Sequence, residues 1–237
     1  MSDHQILTAE THAAVRVRTD CAAELGDAVM CCLTVPAEFR QVQEHYPILF
    51  RQDAERTGFT ALAMFGFVDG ENLFLGEHGW DARYRPLALA IQPFLIGRTA
   101  AGGDRQQVHI DMASPRIGGG EGVQLFDEVG RPTPYLEAIA ERLGELDEGY
   151  RAAPDFFAAL ERYDLLEPLT LEITLDDGSI NRLVGFHVID EQQLRSLDAG
   201  AIADLHQAGH LMPIFMAVAS LGHLGDLVAR KNRLVHG

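Results

Sequence analysis

The sequence is poor in cysteine and in positive charge, and both shortages limit what the chain can be. Its 3 cysteines include the adjacent pair Cys31 and Cys32 and no C-x-x-C spacing, which argues against a disulfide framework or a cysteine-based metal site. Lys and Arg number 19 against 35 Asp and Glu, so the formal net charge is −16. A field of that sign repels phosphate backbones, and no basic patch in the sequence offsets it. We therefore predict no nucleic-acid binding.

The sequence also lacks a long uncharged apolar run. The longest one, from Leu211 to Gly225, contains Pro213 and His223 and falls short of the ~20 residues that a helix needs to cross a bilayer. Residues 1–10 have neither the basic start nor the apolar core of a secretory signal. We therefore predict that the chain has no membrane span and is cytoplasmic.

What is present is the composition of a globular protein, with 47% hydrophobic and 23% charged residues in a chain of 237. Alternating or continuously apolar runs predict strands at 47–50, 60–67, 72–75, 107–112, 169–175 and 180–189. Asp177-Gly178 predicts a hairpin turn between the last two of these strands. Apolar residues spaced three and four apart predict helices at 133–150, 154–163 and 211–221, and Asp190 and Asp198 are candidate caps for a short helix and a longer one between the last two of these. The expected fold is α+β, with a mostly antiparallel sheet and a helix-rich C-terminal half.

The domain organisation is expected to be simple. No Pro-rich or Gly/Ser-rich linker divides the chain, so residues 1–237 are predicted to form a single domain. Two glycine-bearing stretches lie between the strand-rich first part and the helix-rich second part. If a sub-domain boundary exists, they place it within residues 98–122.

His109 and Asp111 form an H-x-D pattern on a predicted strand, where residues two apart face the same side and can bind one ion. With His187 on another predicted strand they would make the 2-His-1-carboxylate triad of a non-haem Fe(II) oxygenase. The structural alternative is that Asp111 caps the turn that leads to Arg116. Such oxygenases need a jelly roll, and residues 133–166 are predicted to be helical, so we favour the structural role.

Aromatic and proline residues form the second candidate site. Its members are Tyr46, Phe50, Trp80, Asp81, Tyr84, Pro86 and Phe94. Large rigid side chains next to charged ones are typical either of a corner of the core or of a ligand-binding wall. The working hypothesis is that these residues form an accessible surface that binds a protein or a small molecule. Burial of their side chains would make them core residues instead.

Several segments of the sequence resemble the SapC family of bacterial proteins. They are His45-Tyr-Pro-Ile-Leu-Phe50, Trp80-Asp-Ala-Arg-Tyr-Arg-Pro86, Gln92-Pro-Phe-Leu-Ile-Gly97, Ile110-Asp111 with Ser114-Pro-Arg116, and residues 185–197. The resemblance runs in order along nearly the whole chain. At position 109 the family pattern is usually apolar or small, so His109 departs from it, which weakens the metal hypothesis.

The resemblance implies an accessory role without assigned catalytic residues or cofactor. Family members are often labelled peptide-transporter permeases, a label that conflicts with the absence of a predicted span. They are commonly encoded beside flavin-dependent tryptophan-halogenase-like enzymes, cupin-like oxygenases and TonB-dependent outer-membrane receptors. The leading expectation is a soluble accessory or binding protein of a modification or uptake system. The alternatives are the Fe(II)-dependent oxygenase and a surface-layer-associated structural protein, and a homo-oligomer remains open.

Overall fold

The computed structural model describes residues 2–55, 58–77, 79–98, 106–118 and 120–236. The strands are β1 (His4–Ile6), β2 (Arg16–Val17), β3 (Cys31–Thr34), β4 (Ile48–Gln52), β5 (Phe59–Met64), β6 (Leu75–Gly76), β7 (Gly79–Trp80), β8 (Phe94–Arg98), β9 (Gln106–Asp111), β10 (Val123–Gln124), β11 (Leu166–Thr174) and β12 (Ile180–Ile189). The helices are α1 (Ala9–His12), α2 (Phe39–Val42), α3 (Leu87–Ala90), α4 (Pro134–Arg162), α5 (Glu191–Ser196), α6 (Ala199–Gln207), α7 (Leu211–Ser220) and α8 (His223–His236). This mixture of helices and antiparallel sheets, with helices in the C-terminal half, confirms the expected α+β class.

The largest sheet has five antiparallel strands in the order β11-β12-β4-β5-β3. Its central strands β4 and β5 are buried at consecutive positions, as their continuously apolar sequences predict. β11 and β12 form the predicted hairpin, and Gly178 adopts a φ of +83° in its turn, which side chains with a Cβ rarely tolerate. This sheet, together with α2 and α7, encloses the first hydrophobic core.

A second core lies against a three-stranded antiparallel sheet of order β1-β9-β8. The apolar run from Leu87 to Ile96, which fits either a helix or a strand by its pattern, contains both: the single turn α3 and then β8. The predicted strand at 107–112 corresponds to β9. The segment 98–122, predicted to contain any boundary, lies partly outside the described residues.

Helix α4 joins the two cores. Its first half places Leu136, Ile139, Leu143 and Leu146 in the second core, whereas its last turns place Phe156, Ala159 and Leu160 in the first. The expectation of separate helices on either side of Pro154 is wrong, because α4 continues through that residue. A proline removes one helical hydrogen bond, and here the burial of both halves of the helix offsets that loss.

Helices α5 and α6 begin where the sequence predicts. The side chain of Asp190 accepts hydrogen bonds at the start of α5, and that of Asp198 does so at the start of α6. By length and composition alone, Leu211–Leu234 could cross a membrane, with a mean hydropathy of 1.6 over a window that is 28% buried. One such stretch is weak support, because the core helix of a soluble protein passes the same test. The absence of a membrane span stays a prediction.

Candidate functional site

Most of the predicted aromatic surface lies inside the protein. The side chains of Tyr46 and Phe50 are fully buried, Phe94 is 1% exposed, and Pro86 is also buried. The Tyr46 ring packs edge-on against Phe65 and two other aromatic rings. The interpretation of these four residues as an accessible contact surface is therefore wrong, because their side chains are packed in the interior of the protein.

Three members of the predicted surface, Trp80, Asp81 and Tyr84, do reach solvent. Their contacts hold residues 81–86, the loop that precedes α3, which we call the aromatic loop. The indole N–H of Trp80 donates to Tyr46 Oη at 2.8 Å and to the Tyr84 carbonyl oxygen at 3.1 Å. Tyr46 Oη donates to that same carbonyl oxygen. Asp81 is exposed and pairs with Arg230 of α8 at 2.6 Å. These contacts fix the course of residues 80–84 against β4 and α8.

A buried carboxylate continues this network. Glu38 accepts hydrogen bonds from Thr34 Oγ1, Tyr84 Oη and the Leu87 backbone N–H, each at 2.7 Å. Burial, the Glu38 charge and this hydrogen bond raise the pKa of Tyr84 above its ordinary value, so its phenol stays protonated. The Leu87 contact sets the start of α3, because the backbone N–H groups of a first helical turn have no partner within the helix.

The structure does not assemble the predicted iron triad. His109 and Asp111 lie on β9 of the three-stranded sheet, whereas His187 lies on β12 of the five-stranded sheet. Within the described residues, no group of three or more His, Cys, Asp or Glu side chains could hold a metal ion. The Fe(II) interpretation is therefore wrong for these three residues.

Each member of that triad has a local packing role. Asp111 Oδ1 accepts from the Asp3 N–H at 2.8 Å and the Ala113 N–H at 3.1 Å, so it caps the turn after β9. The His109 ring covers the backbone of Gly97, where an added Cβ would lie 2.0 Å from His109 Nε2. His187 packs edge-on against Phe59 at 5.0 Å between ring centroids, and burial lowers its pKa.

The most distinctive cavity is lined by four arginines. This cavity, the arginine pocket, has a volume of about 310 Å³, near the lower end of the range for small-molecule sites. Its lining residues are Thr19, Arg83, Tyr84, Arg85, Leu87, Ala90, Gln92, Arg116, Tyr135 and Arg142. They come from the loop before α3, from α3 itself, from the turn after β9 and from the first turns of α4. The pocket therefore lies where the second core meets the aromatic loop.

Asp27 holds two of the pocket arginines in place. Both carboxylate oxygens of Asp27 accept from Arg116 Nη2 at 2.6 Å, and Oδ1 also accepts from Arg85 Nη2 at 2.6 Å. Arg116 Nη1 donates to the carbonyl oxygens of Arg18 and Asp20. The Asp27 and Arg116 side chains are 1% and 2% exposed, so this ion pair is enclosed. A buried charge pair of this kind fixes geometry at a considerable desolvation cost.

The pocket arginines retain unused hydrogen-bonding capacity. Nε of Arg85 and Nε of Arg116 are buried and have no hydrogen-bond partner. Arg83 and Arg142 line the same pocket and are exposed. Buried donors without a partner are uncommon in folded proteins and often mark a place that a ligand or water fills.

The arginines of the pocket affect the pKa of Tyr135, which lines the same cavity. Burial raises the pKa of Tyr135, while Arg116, Arg142 and Arg85 act in the opposite direction because they favour the phenolate. Four guanidinium groups line the pocket, and two buried carboxylates stand behind its wall: Asp27, and Glu38, which contacts the lining residues Tyr84 and Leu87. The balance leaves the pocket cationic in a chain of net charge −16. The arrangement is suited to binding an anion, since guanidinium groups donate charge-assisted hydrogen bonds to carboxylates and phosphates.

Sequence reasoning identified the segments of this site but not its chemistry. Arg83, Arg85 and Arg116 lie inside two of the segments that resemble a known family, yet the aromatic residues beside them drew the functional interpretation. Asp27 carried no signal, because nothing local indicates that it approaches arginines about 60 to 90 positions away. Arg142 carried none either, because its pattern is that of the charged face of a helix.

The SapC family model matches residues 7–227 of the chain. Comparison with curated proteins and comparison with solved structures each gave no match. The matched region contains Asp27 and all four arginines of the pocket. The chain therefore belongs to the SapC family.

Proposed function

We propose that this protein is a cytoplasmic accessory protein that binds a small anionic ligand in the arginine pocket. The observation that carries the proposal is the set of four arginines around one cavity, two of them with a buried Nε that donates to no acceptor. An excess of positive charge at one cavity of an acidic protein is costly without an anion, because the guanidinium groups repel one another. A bound anion relieves that repulsion.

The accessory role rests on the family. The genomic neighbours implied by the family resemblance are halogenase-like enzymes, cupin-like oxygenases and TonB-dependent receptors, which modify or import small molecules. A binding protein for a small anion fits such a system as a carrier or a sensor of its substrate or product.

Anion binding is tested by titrating the purified protein with phosphate, sulfate and acetate and following ligand-observed NMR and the thermal unfolding midpoint. At least one anion should bind to the wild type. Arg142→Ala should lower the affinity for that anion at least about tenfold, since one charge-assisted hydrogen bond contributes about 1.5–3 kcal/mol. Arg195→Ala is the matched control, because Arg195 is an exposed helical arginine that pairs with Glu191 and does not line the pocket. Equal affinity in both variants, or no binding by the wild type, would refute the proposal.

A further inference from the structure

The arginine pocket has an apolar wall as well as a cationic one. Leu87 and Ala90 are three residues apart on α3, so they lie on the same side of its single turn, and both line the cavity. Tyr135, from the first turn of α4, adds a half-buried ring. A site for a fully hydrated inorganic anion gains nothing from such a wall, whereas a ligand with a hydrocarbon part does.

The charge at the buried end of the pocket selects for one negative charge. Arg85 and Arg116 share the single carboxylate of Asp27, which leaves one positive charge on the three groups together. A carboxylate would neutralise that charge. A phosphate dianion would leave an uncompensated negative charge at the enclosed end, which is costly in a low-dielectric site.

We infer that the ligand is a monocarboxylate carried on an apolar body. Its carboxylate lies at Arg85, the more exposed of the two arginines that Asp27 holds, and its body lies along Leu87, Ala90 and Tyr135. At the rim, the exposed Arg142 donates a further hydrogen bond to the carboxylate, and the exposed Arg83 attracts the anion from solvent. This inference rests on the proposed function and narrows it to a class of ligand.

The test compares three probes on the wild-type protein: acetate, 3-phenylpropionate and the uncharged 3-phenylpropionamide, with inorganic phosphate as the rival anion. 3-Phenylpropionate should bind at least about tenfold more tightly than acetate, because burial of an aromatic ring contributes about 1.5–3 kcal/mol. The amide should bind at least about tenfold more weakly than 3-phenylpropionate. Phosphate should bind more weakly than 3-phenylpropionate.

Ala90→Leu tests the apolar wall directly. The larger side chain fills the space beside Leu87, so the preference for 3-phenylpropionate over acetate should fall to about threefold or less while acetate affinity is retained. Ala88→Leu is the control, since Ala88 lies on the same helical turn but does not line the cavity. Its preference should equal that of the wild type, and its unfolding midpoint shows whether α3 tolerates a larger residue.

The failures of the two proposals are distinguishable. If phosphate binds more tightly than every carboxylate, or if acetate and 3-phenylpropionate bind equally and Arg142→Ala weakens both, the apolar-body inference is refuted and the anion pocket stands. If no anion binds the wild type, the proposed function fails and the inference fails with it. An unchanged preference in Ala90→Leu would also refute the inference.

Discussion

At the scale of single residues, the site depends on a few buried polar groups that satisfy one another. Asp27 serves two arginines, and Glu38 accepts three hydrogen bonds that join β3, the aromatic loop and α3. Buried charges of this kind are tolerated only when each is paired. Their cost makes them sensitive positions, because removal of one partner leaves the other charged and enclosed.

Asp27→Asn tests this dependence. The substitution keeps the shape of the side chain but removes the negative charge that faces Arg85 and Arg116, so we expect unfolding free energy to fall by about 3 kcal/mol. Urea denaturation measures the change. Asp20→Asn is the control, because the Asp20 side chain is exposed and pairs with the partly exposed Arg18. A loss below 1 kcal/mol for Asp27→Asn would mean that the pair contributes little.

His187 gives a prediction for pH. Burial lowers its pKa below the ordinary value of 6.5, so the folded protein resists its protonation while the unfolded chain accepts the proton. The contribution of His187 is therefore complete above about pH 6.5 and is lost as the pH falls from there through the lower folded pKa. The unfolding midpoint of His187→Gln should drop less between pH 7 and pH 5 than that of the wild type. Parallel curves would contradict this account.

At the scale of elements, features that depend on neighbouring residues were predicted better than features that depend on residues far apart in the sequence. The hairpin of β11 and β12 and the caps at Asp190 and Asp198 depend on residues a few positions apart, and the structure confirms them. The continuity of α4 could not be predicted, because Pro154 is a local signal to break the helix while the burial that overrides it comes from both cores. The arginine pocket escaped prediction for the same reason, since its residues meet only in the folded chain.

Gly149 and Gly144 form a matched pair on α4. A Cβ added to Gly149 would lie 2.4 Å from Val35 Cγ2, whereas one added to Gly144 would meet nothing within 4 Å. Gly149→Ala should therefore lose about 1–3 kcal/mol of stability through overpacking. Gly144→Ala should gain up to about 1 kcal/mol from helix propensity. Denaturant unfolding measures both, and a stabilising Gly149→Ala would show that Val35 moves freely.

At the scale of the whole molecule, α4 determines whether the chain unfolds as one unit. The two cores lie on different sheets, and both α3 and α4 contribute side chains to each core. Of these two helices α4 is by far the longer, so most of the coupling between the cores is expected to pass through it. A helix of 29 residues cannot lose half its buried face without weakening the other half, because helix formation is cooperative. The single domain predicted from the sequence follows if this coupling is strong.

Trp80 makes that coupling measurable, because it is the only tryptophan in the chain and packs against the first core. Ile139→Ala creates a cavity in the second core and should cost about 2–5 kcal/mol. If the cores unfold together, the midpoint followed by Trp80 fluorescence falls by the same amount as the midpoint followed by circular dichroism of the helices. Phe156→Ala, in the first core, is the reference for a direct effect on the same signal. A Trp80 transition that keeps the wild-type midpoint in Ile139→Ala, with an earlier separate loss of helix signal, would instead divide the chain into two domains.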